Sequence, residues 1–186
     1  VTRIVSGRAG SLALKVPSAG TRPTSDRVRE ALFSALESRG YLEDAHVLDL
    51  FAGSGALALE SISRGAASAV LVEKAASAAK ICTQNAKALT QALGRADIRV
   101  VVRGAQPFVD EGSEDYDLVF IDPPYDYTED ELTALLAALP RRLREDALVV
   151  VERSTRSPEP TWPAGIERFV QKKYGETTVW WAEPTR

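Results

Sequence analysis

Two short stretches hold residues that could do chemistry. The first is LDLFAGSGALALE, residues 48–60, where Gly53 and Gly55 follow one apolar run and open another. Glycines between a strand and a helix let the backbone approach a ligand closely. The second is FIDPPYD, residues 120–126, where an apolar run stops in an acid, two prolines and a tyrosine. Proline has no amide hydrogen and fixes its own φ, so two in succession end a central strand and stiffen the turn beyond it. A carboxylate stands at each strand end: Asp49 at one, Asp122 at the other.

The glycine stretch fits the loose G-x-G-x-x-A pattern of nicotinamide-binding folds, with Glu73 lying 20 residues beyond Gly53. That pattern alone selects weakly. Asp49 points elsewhere: a carboxylate four residues before the first glycine would face a pyrophosphate badly and suits a cationic ligand. S-adenosylmethionine (SAM) carries a sulfonium and an ammonium, and Glu73 could accept its ribose hydroxyls. The proline stretch suits an exocyclic amine on a nucleobase. The lone pair of such an amine is delocalised into the ring, so the nitrogen is a poor nucleophile. Two acceptors aimed at its hydrogens would favour pyramidalisation; Asp122 offers one and the Pro123 carbonyl the other, on backbone that Pro123 and Pro124 preorganise. Tyr125 offers a ring for a flipped base to stack on, worth about 1–3 kcal/mol.

These residues need a frame. Apolar runs at 46–51, 68–73, 98–102, 116–122 and 147–152 alternate with helical periodicity at 56–65, 75–92, 105–111 and 128–139. Such alternation predicts an α/β fold whose mostly parallel sheet is covered on both faces, with ligands beyond the carboxyl ends of its strands. Asp122 ends the fourth strand of this body and is expected beside the tip of the first. Residues 2–6 and 11–16 predict a hairpin, residues 24–40 a capped helix, and the end of the chain an antiparallel hairpin around Gly175.

The 186 residues fit one domain with a small appendage, and we divide them into an N-terminal extension, 1–20, and a main domain, 21–186. Residues 1–29 hold six basic groups (Arg3, Arg8, Lys15, Arg22, Arg27, Arg29) against one acid, whereas the remainder holds 17 basic and 25 acidic residues. A basic nucleic-acid-contacting arm on an acidic body has this asymmetry. One Cys and one His argue against a disulfide and a Cys/His zinc site, so no metal is expected and a reducing cytoplasm is the expected compartment. VTRIVSGRAG has no apolar segment of signal-peptide type, and no run approaches a membrane span.

DLFAGSG together with DPPY resembles the class I SAM-dependent methyltransferases that modify exocyclic amines. More closely, RIVSG, TRPTSDRVREALFSAL, DLFAGSGALALESISRGA and FIDPPY resemble the bacterial 16S ribosomal RNA guanine-N2 methyltransferases. The resemblance implies a seven-stranded Rossmann-like sheet, an N-terminal extension gripping RNA through Arg3, Arg8 and Lys15, and N2 methylation of one guanine in 16S rRNA. It carries SAM binding onto Asp49, Phe51, Ala52, Gly53, Gly55 and Glu73, and amine positioning onto Asp122, Pro123, Pro124 and Tyr125. Arg22 and Thr24 would lie at the active-site rim. The substrate would be 16S rRNA, the small subunit or an assembly intermediate, bound by a monomer.

The chain departs from that pattern twice. After the third body strand an Asp or Asn usually meets the SAM adenine; here Gly104 and Ala105 stand there, leaving backbone, Gln106 or water. The segment SGRAGSLALKVP is also less basic than the family's hairpin. A DNA adenine-N6 methyltransferase and a non-catalytic RNA-binding assembly factor are the rival functions. His46 and Cys82 are expected to be structural, the stretch RRLR (141–144) a solvated patch, and one of the adjacent Trp180 and Trp181 a core residue.

Overall fold

The computed structural model describes residues 2–18 and 25–185. The short strands β1 (Thr2–Arg3) and β2 (Ala13–Leu14) pair antiparallel, and α1 (Asp26–Ser38) comes next. The body then alternates: β3 (His46–Asp49), α2 (Ala56–Ser63), β4 (Ser68–Glu73), α3 (Ala76–Leu93), β5 (Asp97–Val102), α4 (Ala105–Glu111), β6 (Tyr116–Ile121) and α5 (Glu129–Ala138). A 3-10 turn (Leu139–Arg142) leads into β7 (Leu143–Ser154), and β8 (Ile166–Tyr174) and β9 (Thr177–Pro184) close the chain. The seven strands β3–β9 form one sheet in the order β5-β4-β3-β6-β7-β9-β8. Strands β3 to β7 run parallel, and β9 lies antiparallel to both β7 and β8. The expected Rossmann-like α/β architecture with its small N-terminal hairpin is the one observed.

Successive strand residues feed two apolar layers. Val47, Phe120 and Trp181 pack with Phe33 and Leu36 of α1 and Leu59 of α2; Leu48, Ile121 and Trp180 pack with Val109 of α4 and Leu135 of α5. Period-two alternation explains why both Trp180 and Trp181 are buried, where only one was expected: the sheet is covered on both faces even at β9. Two of the helices, α1 and α5, carry side-chain caps. The Ser25 hydroxyl accepts the Val28 amide at 3.2 Å, and Thr128 and Glu131 form a reciprocal capping box at the head of α5.

The paired part of the N-terminal hairpin is shorter than 2–6 and 11–16 because the intervening amides have other partners. Val5 and Ser6 donate to the two carboxylate oxygens of Glu60 at 2.8 and 3.0 Å, and Ala9 donates to the Ser63 hydroxyl at 2.9 Å. Gly7, with φ +86°, passes so near α2 that a Cβ there would lie 2.3 Å from the Ser63 carbonyl. Ile4, Ala9 and Leu14 are buried in the same layer as α1 and α2.

Two basic stretches also read differently in three dimensions. Arg142, 1% exposed, is no part of a solvated patch: it donates to the carbonyls of Phe108, Val109 and Glu114 and closes the end of α4. Arg29 is equally buried and donates to the Arg3 carbonyl and the Asp26 carboxylate, so it is unavailable to an external phosphate.

Candidate active site

The site forms where β3 and β6 run side by side. Their register sets Asp49 opposite Phe120, so Asp122 continues β6 just past the end of β3. Beyond Asp49 the chain turns through Phe51–Gly55 into α2. Gly55 adopts φ +87°, and a Cβ on it would strike Leu71 at 2.9 Å and Cys82 at 3.1 Å. This close approach requires glycine and sets the loop tightly on β4 and α3. Gly53 adopts φ +56°, but a Cβ there would meet nothing within 4 Å. Its surroundings are open, as a ligand cradle requires.

Three carboxylates stand at the carboxyl ends of adjacent strands β4, β3 and β6. Glu73 accepts the amides of Gly53 and Ala75, both at 2.9 Å, which fixes its head toward the glycine loop. Asp49 is buried, and its best-placed partner is the Phe51 amide at 3.4 Å. Burial, with a smaller push from Glu73, raises its carboxyl to about 7. Asp122 is raised well above the ordinary carboxylate range, first by burial and then by the charges of Glu152 and Asp49, with Arg153 opposing. Desolvation of Asp49 and Asp122 makes positive charge or hydrogen-bond donors welcome beside them, which is what a sulfonium and an ammonium supply.

The Asp-Pro-Pro-Tyr tip folds into a turn. The Tyr127 amide donates to the Pro124 carbonyl at 3.0 Å, while no described residue donates to the Pro123 carbonyl. The Tyr127 ring meets Phe51 edge-on at 5.0 Å between centroids and closes the gap between tip and glycine loop. Tyr125, in the same turn, is 78% exposed. Gly104 and Ala105 lie at the start of α4, after β5, with Gly104 extended and Ala105 buried.

The structure thus brings together Asp49, Phe51, Ala52, Gly53, Gly55, Glu73, Asp122, Pro123, Pro124 and Tyr125. The basic residues are more scattered. Arg3 pairs with Asp26 at the head of α1 at 3.5 Å, and Lys15, exposed, donates to Gln84 at 3.0 Å. The Arg8 amide is tied to the Ser63 carbonyl at 2.8 Å, at the end of α2 remote from the glycine loop. Arg22 and Thr24 lie outside the described residues.

Sequence reasoning missed Arg153. Its buried guanidinium donates to the Tyr127 carbonyl at 3.0 Å and to Glu129, pinning the return of the proline turn. The signal was available: Glu152 and Arg153 end the apolar run of β7, at the same edge of the sheet as Asp122.

A sheet of this order, with a glycine loop after its first body strand and DPPY after its fourth, defines a Rossmann-like methyltransferase. The chain belongs to the bacterial small-subunit rRNA methyltransferase family whose model, described as Conserved hypothetical protein 95, matches residues 2–183. It is 37% identical over 175 residues to Ribosomal RNA small subunit methyltransferase D of Escherichia coli K12, covering 94% of this chain and 85% of that protein. It is 32% identical to the protein of the same name from Haemophilus influenzae, covering 84% and 80%. The solved structure of yhhF from Escherichia coli superposes with a TM-score of 0.84 at 34% identity, covering 98% of this chain and 97% of that one.

Proposed function

We propose that the protein transfers a methyl group from SAM to the exocyclic N2 amine of a guanine in 16S rRNA, acting as a monomer in the cytoplasm on free rRNA or an assembling small subunit. The observation that carries this reading is the adjacency of two strand ends: the glycine loop with Asp49 on β3, and the Asp-Pro-Pro-Tyr turn on β6. The donor set fits SAM. The open face of Gly53 leaves room for it, and the raised carboxyl of Asp49 is short of a cation. When bound, SAM supplies an electrophilic methyl on a sulfonium.

The chain's own residues do the rest. Asp49 answers the positive charge, and Glu73, held by the Gly53 amide, presents its remaining lone pairs to the ribose hydroxyls. Backbone at Gly104 and Ala105 meets the adenine. At the tip, Asp122 and the Pro123 carbonyl accept the two amine hydrogens and turn the nitrogen lone pair outward. The Pro124 carbonyl is engaged by Tyr127, which leaves that of Pro123 for the substrate. Tyr125 stacks on the base, and the Phe51–Tyr127 wall keeps water from the reacting atoms. The proton that leaves the methylated amine is taken by Asp122, whose raised proton affinity suits it to that task. The N-terminal extension, residues 1–20, grips the RNA backbone through Arg3, Arg8 and Lys15 beside the main domain, with Arg22 and Thr24 at the rim.

The test is transfer of a tritiated methyl group from SAM to an unmodified 16S rRNA transcript, to small-subunit particles and to duplex DNA. Label is expected in the RNA. Label confined to duplex DNA would support the adenine-N6 alternative, and no label in any substrate would support a non-catalytic assembly factor.

A further inference from the structure

Asn85 lies in the middle of α3, 2% exposed. No residue assigned above to the cofactor or to RNA stands on that helix, yet its side chain joins the two segments that carry those roles. Its Oδ1 accepts the Lys15 amide at 2.9 Å. Its Nδ2 donates to the Lys15 carbonyl at 2.9 Å and to the Ser54 carbonyl at 2.8 Å. Both amide hydrogens and the carbonyl are therefore used. Lys15 directly succeeds β2 in the basic N-terminal segment, and Ser54 stands between the two glycines of the cofactor loop.

The segment and the loop make separate demands. The loop runs through two left-handed glycines, a backbone with many conformations to lose when a ligand orders it. The N-terminal segment is anchored to α2 at Glu60 and Ser63; at Lys15 the side chain reaches Gln84, and both backbone groups bond to Asn85. When a ligand fixes the Ser54 carbonyl, it fixes the Asn85 amide and with it both backbone groups of Lys15. A second ligand at the segment then has less ordering left to do.

We propose that Asn85 is a positioning residue that couples the two binding events, so that cofactor at the glycine loop strengthens the grip on RNA and RNA strengthens the hold on cofactor. The coupling rests on the reading of the loop as the SAM site and of residues 2–15 as an RNA grip. By linkage the two effects are equal in size. The expected factor is about fivefold, the low end of ordinary coupling.

Two experiments on the full chain test this. In the first, amide hydrogen exchange is followed with and without S-adenosylhomocysteine. The ligand is expected to slow exchange at residues 50–55 and also at the Lys15 amide. Protection of the loop with Lys15 unchanged overturns the coupling. Absence of protection anywhere in the loop overturns the cofactor reading itself, and the coupling with it. In the second, the dissociation constant for an unmodified 16S rRNA transcript is measured with and without S-adenosylhomocysteine, in wild type and in Asn85→Leu. The wild-type ratio is expected to be about fivefold and the variant ratio close to one. A residue that merely stabilised the fold would weaken both measurements and leave their ratio unchanged, so an unchanged ratio sinks the proposal. If Asn85→Leu does not fold, the exchange experiment on the wild type decides.

Discussion

Asp49, at the end of β3, stands beside Asp122, just past the end of the neighbouring strand β6; burial first, then the charges of Glu152 and Asp49, raises the proton affinity of Asp122. Asp49 is buried and Asp122 half-buried, and burial pushes Asp49 up to about 7. Its negative form is the one that attracts a cation. Above that value Asp49 is ionised; below it the carboxyl holds a proton and the attraction is lost. SAM affinity should therefore fall as pH drops from 8 to 6, by about tenfold for one titrating group. Calorimetry in an Asp122→Asn background isolates Asp49, and adding Asp49→Asn should flatten the profile. A flat profile with Asp49 intact would show that this carboxylate does not face the cofactor's charge.

Asp122 should matter for turnover and little for SAM. Removing one preorganised acceptor from a developing charge costs about 10²–10³ in rate. Asp122→Ala is expected to lose that much, and Asp122→Asn less, because one carbonyl acceptor remains. Single-turnover rates with SAM affinities measured in parallel check this. Equal loss of SAM binding in the Ala variant would move Asp122 into the cofactor site.

Tyr125 is largely exposed, so its ring is accessible to a base. Stacking on a base needs the ring and not the hydroxyl. Tyr125→Phe should retain activity, and Tyr125→Ala should weaken RNA binding by about 1–3 kcal/mol. If the two variants were equally inactive, the hydroxyl would be the essential group.

The grip of the N-terminal segment is best tested by charge rather than by deletion. Removing residues 2–15 would strip Ile4, Ala9 and Leu14 from the core and leave the buried Glu60 without the Val5 and Ser6 amides. Replacing Arg3, Arg8 and Lys15 by Gln keeps that packing and those hydrogen bonds. The dependence of log affinity on log salt should flatten by roughly 0.7–0.9 for each basic side chain that no longer meets a phosphate, with SAM affinity unchanged. An unchanged slope in a variant that melts normally would place the RNA-binding surface elsewhere. Arg8, tied to the far end of α2, is expected to contribute least of the three.

The main features of the fold were legible because they are local. Near-continuous apolar runs announced the parallel strands, and alternation with helices placed the fourth body strand beside the first, which brought Asp122 next to Asp49. The proline turn and the glycine loop were legible for the same reason: each constrains its own backbone. Glu60, Asn85, Arg142 and Arg153 were not. All four are buried polar side chains and, the i,i+4 pair of Glu60 with Arg64 aside, their partners are backbone groups or charges 24 to 70 residues away in the chain. Nothing in the neighbouring sequence names those partners. Glu60 alone carried a warning, as an acid inside the otherwise uncharged ALALESIS helix.

The central claim is that Asp122 and the Pro123 carbonyl present the N2 amine of a guanine to the methyl donor. The most direct test is to methylate an unmodified small-subunit RNA with the purified protein and SAM, digest it to nucleosides and identify the product by mass spectrometry against standards. The account predicts N2-methylguanosine at a single position, formed about 10²–10³ more slowly when Asp122 is replaced by Ala. Methyl label recovered as N6-methyladenosine, or on a ring nitrogen of guanine, would contradict it.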